Sequence, residues 1–108
     1  MEIIKKINSE SSLVIQDKHL EMIKEILKNK IPNEKVWAYG SRVTGTAKKH
    51  SDLDLVVFGL SLTKLTELKE GFEESNIPFR IDIMDWKKIP ESFQKNIQAM
   101  YVVLQTGE

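Results

Sequence analysis

The sequence predicts a small α/β (α+β) domain, in which helices cover one face of a mixed β-sheet. Two observations lead there. Segments of helical period alternate with short runs of branched and aromatic residues, in the order α-β-(short α)-β-α-β-α-β. Within the two clearest strand-like runs, residues 53–58 and 79–84, apolar side chains occupy every second position, so each strand has one face made to meet helices.

Each element has a local reason. Residues 1–16 are weakly patterned and are expected to form an N-terminal arm: Ile3 and Ile4 suggest order, while Asn-Ser-Glu-Ser-Ser at 8–12 reads as loop. From Asp17, which can cap a first turn, Leu20, Ile23, Ile26 and Leu27 fall on one helical face, with Glu21, Lys24 and Lys28 outside it. Pro32 ends this helix near Lys30. Val-Trp-Ala-Tyr-Gly at 36–40 reads as a buried strand, and residues 41–48 as a short helix, with Gly45 easing the turn after it, before a loop at 48–51. Ser61 caps a second long helix that turns Leu62, Leu65, Leu68 and Phe72 inward and ends near Asn76-Ile-Pro78. Pro90 suits the first turn of a last helix with Phe93 and Ile97 on one face. Tyr-Val-Val-Leu at 101–104 reads as a closing strand, a helical continuation being the alternative. No repeat, low-complexity tract or Gly/Ser linker divides the chain, so residues 1–108 are expected to form one domain.

Composition excludes several function classes. The absence of cysteine removes disulfides and thiolate metal sites. Sixteen Lys and Arg balance sixteen Asp and Glu, which lacks the basic surplus of a domain that grips duplex nucleic acid. The run Lys48-Lys49-His50 reads as a solvated loop. No long apolar run lies between Met1 and Gln16, so neither a signal peptide nor a membrane span is expected, and the cytoplasm is the default location.

The acidic residues carry the chemistry. Alternation along a strand makes Asp52 and Asp54 project together, away from Leu53, Leu55 and Val57. The run at 79–84 repeats the pattern, with Phe79, Ile81 and Ile83 on one side and Arg80, Asp82 and Met84 on the other. If the two strands are neighbours, Asp82 joins Asp52 and Asp54 on one face. Carboxylates gathered in this way repel one another unless a cation compensates. Magnesium suits them, because it takes hard oxygen ligands and leaves positions for substrate phosphates, and two such ions can clamp an in-line phosphoryl displacement. Gly40-Ser41 stands where a strand gives way to a short helix, so backbone N–H groups and the Ser41 hydroxyl are available to phosphate oxygens. Arg42 and Lys48 or Lys49 are candidates to neutralise those phosphates.

Plainer readings compete at each position. Acidic residues are disfavoured in strands, so a pair leading into Leu-Val-Val-Phe asks for a reason beyond a solvent-facing edge. Ser41 as a helix cap is compatible with phosphate binding. Asp85 competes with Asp82 for the third carboxylate, but it has the opposite parity and is expected to end the strand or cap the turn at Trp86. Arg80 either contacts substrate or holds Asp82. His19 and His50 are expected to be exposed and inert, and Trp37, Tyr39 and Trp86 to be packing residues, an aromatic near the sheet edge that stacks on a base being the alternative.

Gly40-Ser41, ten intervening residues and Asp52-x-Asp54 resemble the signature of the DNA polymerase beta-like nucleotidyltransferase superfamily. Arg80-Ile-Asp82 resembles the segment that carries its third metal-binding carboxylate. The similarity is to minimal nucleotidyltransferases (MNT). It extends through Val36-Trp-Ala-Tyr-Gly-Ser-Arg-Val, Ala47-Lys-Lys-His-Ser-Asp-Leu-Asp-Leu, Ile81-Asp-Ile-Met-Asp-Trp86 and Tyr101-Val-Val-Leu-Gln105. The resemblance implies a palm-like core with Asp52, Asp54 and Asp82 as catalytic metal ligands for Mg²⁺ and Gly40, Ser41 and Arg42 at the nucleotide. It further implies transfer of NMP, AMP from ATP, to a hydroxyl acceptor. The acceptor it points to is a tyrosine of a helical HEPN toxin encoded next door, with the chain as antitoxin of a type VII-like pair. Two alternatives stay open: a nucleotide-binding subunit that neutralises or assists a HEPN partner by binding alone, and transfer of NMP to a small molecule.

Overall fold

The computed structural model describes residues 4–6, 12–48 and 50–107. In chain order the elements are β1 (Ile4–Lys6), β2 (Ser12–Val14), α1 (Asp17–Lys30), β3 (Lys35–Tyr39), α2 (Ser41–Thr44), β4 (Leu53–Val57), α3 (Leu62–Glu73), β5 (Ile81–Asp85), a 3-10 turn (Trp86–Lys88), α4 (Glu91–Ala99) and β6 (Val102–Thr106). The sheet of four strands runs β5-β4-β3-β6. β3 is antiparallel to β4 and to β6, whereas β4 and β5 are parallel, so the sheet is mixed as expected.

Periodicity accounts for the main layer. α1 buries Leu20, Ile23 and Leu27, and α3 buries Leu68 and Phe72. These pack on Val36, Ala38, Leu53, Leu55, Val57 and Ile83, the alternate residues of three neighbouring strands. α1 stops where expected: the Ile31 N–H reaches the Leu27 carbonyl at 2.8 Å, and Pro32 follows. The Ser61 hydroxyl caps α3 by accepting the Lys64 N–H at 3.2 Å. α4 ends when Met100 turns extended, which resolves residues after it as strand and not as further helix.

Three expectations change, and one falls mostly outside the described residues. Asp17 is the first residue of α1, with Gln16 at the cap position and no side-chain cap bond. Leu62 is 74% exposed, because the inward stripe of α3 begins one turn later, at Leu65. The expected arm contains an antiparallel strand pair, Ile4 opposite Val14, and the following Leu13 and Ile15 side chains are fully buried in the main core. The loop expected at 8–12 lies outside the described residues except for Ser12, which belongs to β2. Strands of three residues are too short to show a period.

The second face of the sheet is partly covered. Ile97 of α4 and Ile89 pack against Tyr39 and Val56 there. Beside them Trp37 stacks on Tyr101 (3.8 Å, 16°) and meets Phe58 edge-on (4.7 Å), with Trp86 completing the group. Trp37 and Trp86 are packing residues, as expected. Among the described residues no helix is long and apolar enough to cross a membrane.

Truncating the central strand tests this layering. Leu55→Ala, at a fully buried position, is expected to lower the unfolding free energy by about 2–5 kcal/mol in urea titration. Leu62→Ala is expected to stay within about 0.5 kcal/mol of the parent.

Candidate active site

The register of three strands assembles the site. Asp54 of β4 stands opposite Asp82 of β5 in the parallel ladder and opposite Tyr39 of β3 in the antiparallel one. Paired residues share a face, so Tyr39, Asp54 and Asp82 form a row across the second face of the sheet. Asp52 precedes β4 with the same parity and is exposed, whereas Asp54 is half-buried. The row therefore places Asp82 where strand parity put it. Asp85 pairs with Val57 and its carboxylate accepts the Lys87 N–H at 3.1 Å, capping the 3-10 turn.

Electrostatics follow from this crowding. The Asp54 carboxyl is pushed above the usual carboxylate range, first by burial and then by the charges of Asp82 and Asp52. The Tyr39 phenol is pushed up to about 12 by burial and by Asp54 and Asp82, so it remains a protonated donor at neutral pH. Among the described residues no three His, Cys, Asp or Glu side chains close into a metal-holding group. The donor chemistry nonetheless fits a hard divalent cation: Asp54 and Asp82 stand side by side, with Asp52 in the same electrostatic cluster, and all three offer carboxylate oxygens.

Gly40 makes the arrangement possible. Its backbone lies at φ +84°, ψ −157°, a region open essentially to glycine alone. A Cβ there would run into the Asp54 Oδ2. The glycine thus admits the Asp54 carboxylate, a tighter demand than the phosphate approach read from the sequence. α2 follows at once, its turn closed by Val43 and Thr44 N–H bonds to the Gly40 carbonyl at 2.9 and 3.0 Å. Gly45 ends it at φ +90°, as the expected turn requires. Ser41 opens this turn beside the carboxylates, where helical N–H groups lack intrahelical acceptors.

Arg42 is a correction. It was expected at the nucleotide, yet it is 1% exposed and directed into the fold. Its Nε donates to the Ser51 carbonyl and its Nη1 to the Val14 carbonyl, both at 3.0 Å, and the guanidinium lies 3.9 Å from the Phe79 ring centroid. Burial lowers its pKa, and the Asp52 charge works against that. No local pattern announces this role, because its partners come from distant parts of the chain. Lys48 is exposed, and its backbone exchanges hydrogen bonds with Ser51 in the expected loop. Lys49 lies outside the described residues. Arg80 is exposed while its carbonyl accepts the Leu53 N–H at 2.9 Å. His50 is exposed as expected, but His19 is half-buried edge-on to Phe79 at 5.7 Å.

Sequence reasoning passed over the opposite wall. A cleft of about 470 Å³ is lined by Gly40, Asp54 and Asp82 on one side and by Phe93, Ile97 and Met100 of the α4 region on the other. Tyr39, expected chiefly as a packing residue, also borders it. Its parity with Trp37 and its place before Gly40 were the available signals. Phe93 and Met100 are 38% and 41% exposed, an apolar rim beside acidic groups.

Comparison with known proteins agrees with this geometry. The family model described as polymerase beta, nucleotidyltransferase matches residues 21–106. A protein of Haemophilus influenzae, described as probable protein adenylyltransferase MntA, is 43% identical over 101 residues, which cover 91% of this chain and 89% of that protein. A crystal structure of a toxin–antitoxin with AMP-PNP superposes with a TM-score of 0.66 at 21% identity, over 81% of this chain and 73% of the other. A crystal structure of the toxin–antitoxin MntA-HepT gives 0.61 at 18% identity, over 84% and 73%. These two structures share the fold.

Two outcomes follow from the geometry. A carboxyl with a raised folded-state pKa stabilises the fold when protonated and loses that contribution as pH rises through the raised value. Asp54→Asn is therefore expected to raise the melting temperature near neutral pH, with the gain fading as pH falls to about 4. Thermal melts across that range check it. Gly40→Ala is expected to cost about 1–3 kcal/mol for the backbone conformation alone, read by urea unfolding, with displacement of Asp54 besides.

Proposed function

The chain belongs to the polymerase beta nucleotidyltransferase family and is a nucleotidyltransferase; on that premise we propose that it transfers AMP from ATP, in the cytoplasm, to a tyrosine hydroxyl of a helical HEPN-family partner and so acts as the antitoxin of the pair. The observation that carries this reading is the row of Asp54 and Asp82 in register, with Asp52 in the same electrostatic cluster and the Gly40-Ser41 turn against Asp54. Support for the donor and partner comes from the relatives: 43% identity to a probable protein adenylyltransferase, and folds shared with toxin–antitoxin structures, one of them with AMP-PNP.

Asp52, Asp54 and Asp82 are the residues that would hold Mg²⁺. When bound, the ion neutralises these carboxylates and the phosphates and stabilises charge on the departing pyrophosphate. The chain's own groups do the rest. The Ser41 amide and hydroxyl take phosphate oxygens at the start of α2. Asp82 accepts the proton of the acceptor hydroxyl as its oxygen bonds to the α-phosphorus and the bond to pyrophosphate breaks.

Incubation with the purified partner, ATP and Mg²⁺ is expected to add the mass of AMP to a partner tyrosine. Asp52→Asn is expected to abolish the transfer, Asp82→Asn to slow it by about 10²–10⁴-fold, and chelation of the metal to stop it. Full activity of Asp52→Asn would overturn the assignment.

A further inference from the structure

We propose that Arg42 is a positioning residue for Asp52, holding it in place from inside the fold through the Ser51 carbonyl. The inference rests on the nucleotidyltransferase reading of the carboxylates and goes beyond it. Asp54 and Asp82 lie within strands, where the ladder sets their places. Asp52 does not, since β4 begins at Leu53. Its position depends on what holds the backbone on either side. On one side the Leu53 N–H donates to the Arg80 carbonyl at 2.9 Å; on the other the Ser51 carbonyl accepts from Arg42 Nε at 3.0 Å. Asp52 is bracketed by these two bonds.

The same guanidinium connects further parts of the site. Arg42 directly follows Ser41, so its bond to Ser51 ties the Gly40-Ser41 turn to the loop that delivers Asp52. Its bond to the Val14 carbonyl anchors the assembly to β2, and its contact with Phe79 reaches the segment leading into β5 and Asp82. A surface role is excluded by burial at 1% exposure. Burying a cation is unfavourable unless its donors are used, and here both carbonyl bonds, the ring face and the nearby Asp52 charge offset that penalty. Lysine cannot replace this geometry: an ammonium is a point donor, whereas the planar fork sends separate N–H groups to carbonyls from different parts of the chain.

The test is a double-mutant cycle read by calorimetric titration of Mn²⁺ in the presence of AMP-PNP, with thermal melts alongside. Arg42→Lys is expected to melt cooperatively and to bind Mn²⁺ about 10–100-fold more weakly, the usual loss when a group supporting a metal ligand is removed. In the Asp52→Asn background the same substitution is expected to change the residual affinity by no more than about twofold, since the ligand it positions is gone. Wild-type affinity in Arg42→Lys overturns the proposal, as does an equal loss in both backgrounds, which would mark general loosening. Should Arg42→Lys not fold, Phe79→Leu removes the ring under the guanidinium and carries the same comparison. Wild-type binding by Asp52→Asn alone would instead overturn the reading of the carboxylates.

Discussion

The in-register parallel pairing of β4 with β5 is the constraint on which the site depends, because it sets the Asp54 and Asp82 carboxyl groups side by side. The two carboxyl groups do not themselves favour that pairing. It is imposed from below, where Leu53, Leu55, Val57 and Ile83 lie under α1 and α3 in one buried layer, with Ile81 packed against it. A slip of one residue would turn Asp82 into that layer and carry Ile81 and Ile83 out of it. The hydrophobic face therefore holds the register, and the register holds two like charges together against their repulsion.

Function and stability pull in opposite directions at this point. Burial and its neighbours keep the Asp54 carboxyl harder to ionise than usual, and Gly40 adopts a conformation that other residues avoid, so that the carboxylate has room. Sites that concentrate charge for catalysis commonly weaken the fold that carries them. Compensation comes from the core beneath the row, and the buried Arg42 guanidinium feels the charge of Asp52. The apolar wall of α4 adds asymmetry, so the cleft has one acidic side and one apolar side.

Much of this was legible in the residues. α1, β4 and α3 follow from period and caps; the boundaries of α1 and β4 agree to within about one residue, while α3 ends at Glu73, short of the expected Asn76. Strand parity alone separated Asp82 from Asp85. The misreadings share a cause. Leu62 was assigned by period at a helix end, where a side chain can still miss the core; β1 and β2 were too short for a period to exist; α4 was seen as a helix without its destination on the second face. Arg42 was read from its motif as a phosphate ligand, although its long side chain can turn either way.

Alternation along a strand is a local property, so the sequence by itself determined which carboxylates could share a face and that Gly40-Ser41 stands at a strand-to-helix turn. Which strands are neighbours, in what register, and where a long flexible side chain finds its partners are non-local matters. Only the tertiary structure decided that Asp54 meets Asp82 and Tyr39, that α4 walls the cleft, and that Arg42 turns into the fold. Each of these is settled by packing between segments far apart in the chain, where no single window of sequence carries the competing energies.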